Sequence, residues 1–311
     1  MPMKSYKSQR QNKFAIILLN WNGLQDTLEC LDSLQQLTYP SFEIILVDNG
    51  STDNSLEVIK ERYPLLTTVE NETNLGFAEG NNRGMAEAME RGADWIVLLN
   101  NDTVVAPNFL EAFALAAKDH PEAGVLGAKI FYHHEPATLW YAGGGVDRRT
   151  WSCYHVGIGH PDFNEKYRSI TPTEYACGCA LAVSKEALCS VGGISSEYFL
   201  IWEEIDWCYR LRQAGFECLF IPGARVWHKL SQSFIEGNRG PMWHYYYMRN
   251  RLLFIKRHAK PKERLRFYIQ VLLPELFDLP KPQRKASLLG VFDFFRGRLG
   301  KGALHRFTET T

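Results

Sequence analysis

No stretch of the 311-residue chain approaches the roughly 20 consecutive apolar residues that a bilayer-spanning helix needs, so any membrane contact is expected to be peripheral. An export signal is also missing. Residues 1–13 are polar and basic, and the apolar run behind them, Phe14 to Leu19, is far shorter than a signal-peptide core with its cleavage site. Neither sign of charge is in excess: 35 basic residues face 35 acidic ones, which leaves no global field for wrapping nucleic acid, and no recognition motif for it occurs. The seven cysteines form no C-x-x-C pair, and Cys177-Gly-Cys179 is too tightly spaced for zinc. We therefore expect buried thiols in a reducing compartment, placing the protein in the cytoplasm or at the inner face of its membrane. Internal repeats, low-complexity runs and a G-x-G-x-x-G loop are absent as well.

What is present is an apolar content of 45%, enough for one large core or two modest ones. Phe14–Leu19, Phe42–Val47, Thr67–Glu70 and Trp95–Leu99 read as strands, and residues 26–37, 53–60 and 80–91 as the helices between them. Such β-α alternation predicts an α/β fold with a mainly parallel sheet flanked by helices, in which ligands collect at the carboxyl ends of the strands. From 121 to 173 the alternation weakens, and we expect a loop-rich insertion beside the site. After residue 236 the composition turns aromatic and basic, which predicts a separate C-terminal helical appendage at 236–311 following a sheet-bearing region at 14–235 and a basic tail at 1–13.

Six polar clusters sit where that sheet would gather ligands. Trp21 follows the first strand, where its ring could lie on a planar base whose edge the main chain at Leu19 reads, or simply pack in a turn. Asp48 follows the second strand and could accept a hydrogen bond from the imide of uracil or thymine; a helix cap is the plain alternative, although Ser51 or Thr52 would serve better there. The segment from Asn74 through Asn82 and Arg83 to Gly84 reads as a glycine-punctuated approach to a helix that could face a diphosphate, or as an ordinary loop. Asn100-Asn101-Asp102 ends the strongest strand, where Asp102 could hold a divalent cation or all three could merely turn the chain. Glu203-Glu204 opens a helix in which Asp206 and Arg210 have the spacing of a structural ion pair, yet a carboxylate at the rim is what a general base requires. A second apolar run ends in His228, which would be structural or would complete a mixed nitrogen and oxygen set for manganese or magnesium.

As a set, Asn20-Trp-Asn-Gly23, Val47-Asp-Asn-Gly-Ser-Thr-Asp53, Asn74-Leu-Gly-Phe-Ala with Gly80-Asn-Asn-Arg-Gly84, Leu99-Asn-Asn-Asp-Thr103, Gly192-Gly193, Trp202-Glu-Glu-Ile-Asp-Trp-Cys208 and Val226-Trp-His228 resemble the family 2 glycosyltransferases, most closely the bacterial rhamnosyltransferase-like branch. The likeness runs from about Phe14 to His228 and continues weakly into Tyr246-Tyr-Met-Arg-Asn250. It implies a GT-A fold, a dTDP- or UDP-sugar donor with dTDP-rhamnose favoured, a divalent metal, inversion at the anomeric carbon, and a glycan or lipid-linked saccharide acceptor. Carried over, Asp102 and His228 would hold the metal. Leu19, Trp21, Asp48, Asn74, Asn82, Arg83, Asn100 and Asn101 would line the donor, and Glu204 would be the base with Glu203 as alternative. Two positions depart from the family pattern: Asn100 stands where Asp-x-Asp begins, and Glu204 stands where Asp is commoner.

Competing readings are a UDP-hexose transferase, a non-catalytic sugar-nucleotide binder, and a nucleotidyltransferase, the last disfavoured because no glycine-rich basic loop follows the first strand. The tail's basic and aromatic residues suit an anionic membrane surface, packing on the catalytic region, or a homodimer contact.

Overall fold

The computed structural model describes residues 11–163, 165–230 and 240–302. In chain order the elements are β1 Phe14–Asn20, α1 Leu24–Leu34, β2 Phe42–Asp48, α2 Ser55–Arg62, β3 Thr67–Glu70, α3 Gly76–Glu90, β4 Trp95–Asn100, β5 Thr103–Val105, α4 Phe109–Asp119 and β6 Ala123–Tyr132. Then come β7 Leu139–Tyr141, β8 Gly144–Asp147, β9 Ser152–His155, β10 Thr171–Pro172, β11 Ala180–Ser184, α5 Lys185–Val191, α6 Glu203–Gln213 and β12 Glu217–His228. Four helices follow: α7 Pro241–His258, α8 Pro261–Phe267, α9 Leu273–Asp278 and α10 Lys281–Phe295, with a π-helical turn, Tyr268–Leu272, joining α8 to α9.

The main sheet runs β10-β12-β6-β11-β4-β1-β2-β3, with β5 on β12 and β7 on β6. The block β4-β1-β2-β3 is parallel, as the alternation predicts, and α1, α2 and α3 make its crossovers. β11 enters antiparallel between β4 and β6, while β12 returns parallel to β6.

The expectation of a loop-rich insertion from 121 is corrected in its first part, because β6 is a ten-residue strand at the middle of the sheet. Its alternation is weak because nearly every residue is buried, as in a strand covered on both faces. The 80–91 helix also begins earlier than expected, at Gly76. Its Gly76, Gly80 and Gly84 repeat every four residues and so share one face, which presses on its neighbours. A Cβ at Gly80 would come within 2.6 Å of Leu19, and one at Gly84 within 2.5 Å of Ile17 and 2.9 Å of Val47.

The boundary placed at residue 235 lies outside the described residues. Beyond it, the segment set apart as an appendage shares its core with the sheet: Met248, Leu252, Leu253, Phe254 and Ile255 of α7 are buried in the same apolar cluster as β1 and β4. Among the described residues no helix is long and apolar enough to cross a membrane. No disulfide is present among them, and Cys30, Cys177, Cys179, Cys208 and Cys218 are buried.

Gly84→Ala should destabilise the protein by about 1–3 kcal/mol through overpacking against Ile17 and Val47, outweighing alanine's helix advantage of about 1 kcal/mol. A lower urea midpoint at unchanged slope would read this out, and an unchanged or raised midpoint would show that α3 can lift off β1 at no cost.

Candidate active site

The ends of β1, β2 and β4 meet at one edge through amide side chains. Asn20, wholly buried at the end of β1, donates to Asp48 Oδ1 (3.0 Å) and Ser55 Oγ (3.0 Å), while its oxygen accepts from Gly23 N (3.2 Å) and Thr27 Oγ1 (3.0 Å). Asp48 also accepts from the backbone of Ser51 (3.0 Å) and from its hydroxyl (2.6 Å). Asp48 does not cap α2; Asp53 accepts from Ser55 N (3.1 Å) beside that helix start. Trp21 lies on the rim with 52% of its surface exposed, and Leu19 beneath it packs on the bare Gly80.

The diphosphate reading of residues 74–84 is altered by the early helix start. The first amides of α3 are occupied, because Phe77 N (2.8 Å) and Ala78 N (3.4 Å) both donate to Phe199 O, so this end of the helix is not open to an anion. Arg83 lies seven residues into the helix, about 10 Å along its axis, exposed and paired with Glu79. Asn82 is spent on structure: its oxygen accepts from Ile194 N (2.9 Å) and its nitrogen donates to Ile194 O (2.8 Å). Asn74 accepts from Gly76 N (2.8 Å) and from Asn49, which ties this turn to β2. These residues build the wall of the site, with their glycines serving close packing.

Asp102 and His228 are brought together across 126 residues, Asp102 Oδ1 lying 3.1 Å from His228 Nε2. The sheet enforces this meeting. β5 pairs antiparallel with the end of β12, Thr103 opposite His228, and Lys229 N donates to Asp102 O (2.9 Å). Both side chains are largely buried, and the Trp140 ring stands edge-on to the imidazole at 4.8 Å, so the later part of the 121–173 segment does border the site. Asn100 accepts from Thr103 through its carbonyl (2.6 Å), and the Asn101 amide donates to Thr27 (2.9 Å), so the turn holding Asp102 is braced from both sides.

One carboxylate and one imidazole fit a manganese or magnesium ion that takes its remaining oxygens from phosphates and water. Among the described residues no cluster of three or more potential protein ligands occurs.

The segment Cys177–Cys179 connects this pair to the acids. Asn100 N donates to Cys179 O (2.9 Å), and a Cβ on Gly178 would stand 3.6 Å from Glu204. Burial pushes the thiols of Cys177 and Cys179 well above their usual range, so both are inert here.

Glu203 and Glu204 begin α6 in different surroundings. Glu203 is 4% exposed and its buried Oε2 has no hydrogen-bond partner; burial, and then the Glu204 charge, push its carboxyl well up. Glu204 is half-buried, and burial raises its carboxyl as well, against the opposing pull of backbone amides including that of Gly178. Asp206, completely buried, is structural: it accepts from Tyr198 Oη (3.0 Å), Arg210 Nε (2.9 Å) and His258 Nε2 (2.8 Å). Burial alone would raise its carboxyl, but His258, Arg210 and Arg257 outweigh that and hold it low. The ion pair expected from the Asp206 and Arg210 spacing is present.

The sequence reading assigned no role to Arg249 and Asn250, both fully buried on α7. The Asn250 amide nitrogen lies 2.8 Å from Tyr198 O, 2.7 Å from Leu200 O and 2.8 Å from Ile201 O. Arg249 donates to Tyr198 O (2.9 Å) and Gly300 O (2.7 Å). The loop they grip is strained, with φ of +64° at Phe199, +70° at Ile201 and +79° at Trp202, and it leads directly into Glu203. The available signal was an arginine and an asparagine inside an otherwise aromatic and apolar helical run.

Residues 15–188 match the family described as Glycosyl transferase family 2. The N-acetylglucosaminyl-diphospho-decaprenol L-rhamnosyltransferase of Mycobacterium tuberculosis is 28% identical over 221 residues, covering 65% of this chain and 71% of that protein. Two solved structures share the fold. GalNAc-T7 with UDP, GalNAc and Mn2+ superposes with a TM-score of 0.66 at 17% identity, covering 88% of this chain and 52% of that one. The Pyrobaculum calidifontis mannosyltransferase PcManGT, in complex with GDP-Man and Mn2+, gives 0.58 at 17% identity, covering 96% and 80%.

Asn250→Ala should remove the side-chain donor to Leu200 O and Ile201 O, at roughly 1–3 kcal/mol for each group left unpaired, and release the strained turn, while Tyr198 O keeps Arg249. We expect a lowered melting temperature and a turnover that falls well beyond any change in donor KM, since the acids move while the nucleotide wall stays. Equal losses in both parameters would make Asn250 a folding residue only.

Proposed function

The chain belongs to glycosyl transferase family 2 and has the GT-A fold, and on that premise we propose that it moves a sugar from a nucleoside-diphosphate donor to an acceptor hydroxyl with inversion. The observation that carries this reading is the convergence of Asp102 and His228, 3.1 Å apart, with Glu204 behind the Gly178 turn at the same sheet edge. Each supplies a part that a single displacement needs: a place for the leaving diphosphate's counter-charge and a base for the incoming hydroxyl.

Asp102 and His228 would hold a manganese or magnesium ion, which when bound acts as Lewis acid to the departing diphosphate. The rest falls to the chain's own groups. Asp48 presents a carboxylate edge to the imide N–H of thymine or uracil, and the exposed Trp21 ring offers a flat surface beside it. Glu204 takes the proton from the acceptor hydroxyl as that oxygen attacks the anomeric carbon opposite the leaving group, so no covalent enzyme intermediate is required. Glu204 suits this role better than Glu203 because it is only half-buried, whereas Glu203 is enclosed and its carboxyl is pushed well up by burial.

L-Rhamnose from dTDP-rhamnose is the proposed donor pairing, and a lipid-linked saccharide the proposed acceptor. Support comes from the mycobacterial relative, whose name gives an L-rhamnosyl group and an N-acetylglucosaminyl-diphospho-decaprenol acceptor.

Thermal stabilisation with manganese and a panel of dTDP, UDP, GDP, CMP and ADP tests the donor site: dTDP or UDP should raise the melting temperature only with the ion, and Asp102→Ala should abolish the shift. A shift that survives in Asp102→Ala would move the ion elsewhere.

Glu204→Gln should keep that shift and lose about 10²–10⁴-fold in turnover, while Glu203→Gln stays near wild type. Because burial raises the Glu204 carboxyl and a base must be ionised, turnover should rise with pH through a value above the ordinary 4.5. Normal turnover in Glu204→Gln would remove it from the role.

A further inference from the structure

Among the described residues, the outer helices α8, α9 and α10 carry large apolar side chains on their outward side. On α10 the residues turned inward against α7 are small, Ala286, Ser287 and Gly290, and a Cβ on Gly290 would meet Tyr245 O at 2.5 Å. Leu288, Phe292 and Phe295 point outward at the i, i+4, i+7 spacing of a single face, while Leu289, Val291 and Phe294 are half-buried against the core. Along α8 and α9 both faces are apolar. Phe267, Leu272 and Leu276 are buried, while Leu265, Ile269, Leu273 and Phe277 are exposed at every fourth residue. A run of four-residue steps drifts around an α-helix, but the wider π-helical turn at Tyr268–Leu272 offsets the drift and keeps the four in line.

The two stripes lie side by side. Tyr268 and Phe295 rings are 6.4 Å apart at one end, and at the other Arg284 donates to Leu279 O (2.9 Å). The face is also fixed. Arg251, buried on α7, makes a two-pronged ion pair with Glu275 of α9 at 3.0 and 2.8 Å, and Tyr245 donates to Asp293 of α10 at 2.8 Å. Those bonds set which sides of α9 and α10 look inward, so the outward rings, Phe277 at 72% and Phe295 at 66% exposed, are held out. Seven large exposed apolar side chains on one helical layer are the kind of patch that marks an interaction site.

Charge identifies the partner. Twelve of the 35 basic residues but four of the 35 acidic ones fall between Lys256 and Lys301. Three of those acids are engaged internally, Glu263 in the turn that starts α8, Glu275 with Arg251 and Asp293 with Tyr245, leaving Asp278 as the exposed one. Lys262, Arg266, Lys281, Lys285, Arg296 and Arg298 are exposed around the rings. An apolar stripe rimmed by long cations is the pattern of helices that lie in the plane of an anionic bilayer, rings among the acyl chains and cations at the headgroups.

We propose that the outward face of α8 to α10 is an interfacial membrane-docking surface selective for anionic lipid. The inference goes beyond the transfer reaction and stands on this surface, whatever the donor.

The test is co-sedimentation of the full chain with phosphatidylcholine vesicles, with and without phosphatidylglycerol, beside a Phe277→Ser/Phe292→Ser/Phe295→Ser variant. These side chains are exposed, so folding should be unaffected, and the manganese-dependent nucleotide shift checks the cleft separately. We expect binding to phosphatidylglycerol vesicles, weakened by salt, absent from pure phosphatidylcholine, and reduced at least about tenfold in the variant, because each ring buried in lipid contributes more than a factor of ten requires. No vesicle binding, or equal binding by the variant, overturns the proposal. A concentration-dependent dimer that the variant abolishes, without vesicle binding, would assign the face to a second copy of the chain. Vesicle binding in a protein that shows no nucleotide shift would leave the docking face standing and fail the donor site alone.

Discussion

The site depends on a buried amide. Asn250 sits on α7 with no exposed surface, its nitrogen within hydrogen-bond reach of three carbonyls of the turn between Tyr198 and Trp202. Residues other than glycine at positive φ cost of order 1–3 kcal/mol each, and this turn contains three. Such a turn persists only where its surroundings over-determine it. Arg249 supplies the second clamp at Tyr198 O, and Phe199 O is consumed by the start of α3. The same short segment therefore caps the start of α3 and opens α6, fixing the acids of α6 relative to the β1 and β2 edge where α3 packs.

That placement explains how two adjacent glutamates acquire different roles. Successive residues on a helix point about 100° apart, so Glu203 turns into the core while Glu204 faces the Gly178 turn. Enclosure makes ionising Glu203 expensive, and Glu204's own charge adds to the cost. Two residues on, Asp206 is shifted the other way: Arg210 on its own helix and His258 and Arg257 on α7 hold its carboxyl low, and the two α7 residues pin α6 to α7. Three acids in four positions are thus shifted differently, each by what surrounds it.

The parallel core was legible in the sequence because strands β1, β2 and β4 are short apolar runs separated by helical segments, and each ends in a polar cluster that the sheet gathers at one edge. β6 was not, since a strand buried on both faces loses the alternation that identifies strands. Asp102 and His228 stood out as carriers of metal chemistry, but their meeting depends on the register of β5 against β12, a pairing across more than a hundred residues that local pattern does not encode. The glycines of α3 misled in an instructive way: four-residue spacing reads equally as a phosphate-binding turn or as a helix face stripped for packing, and only the position of the helix start distinguishes them. Arg249 and Asn250 were hidden because polar residues in an aromatic, basic stretch read as solvated surface until the segment is known to be inside.

Composition concealed one further property. A chain with equal numbers of basic and acidic residues reads as electrically plain, yet the excess of cations after Lys256 must be matched by an excess of acids before it. The protein is therefore strongly dipolar along its sequence, and the cationic end is the end whose apolar rings face out. α7 joins the two regions physically. Arg249 and Asn250 grip the turn that leads into Glu203 and Glu204, while Arg251, the next residue, grips the helix that carries the outward stripe. Consecutive residues of a helix point in different directions, so a single turn of α7 faces both ways. Whatever surface α8 to α10 rest upon, α6 therefore holds a set orientation to it.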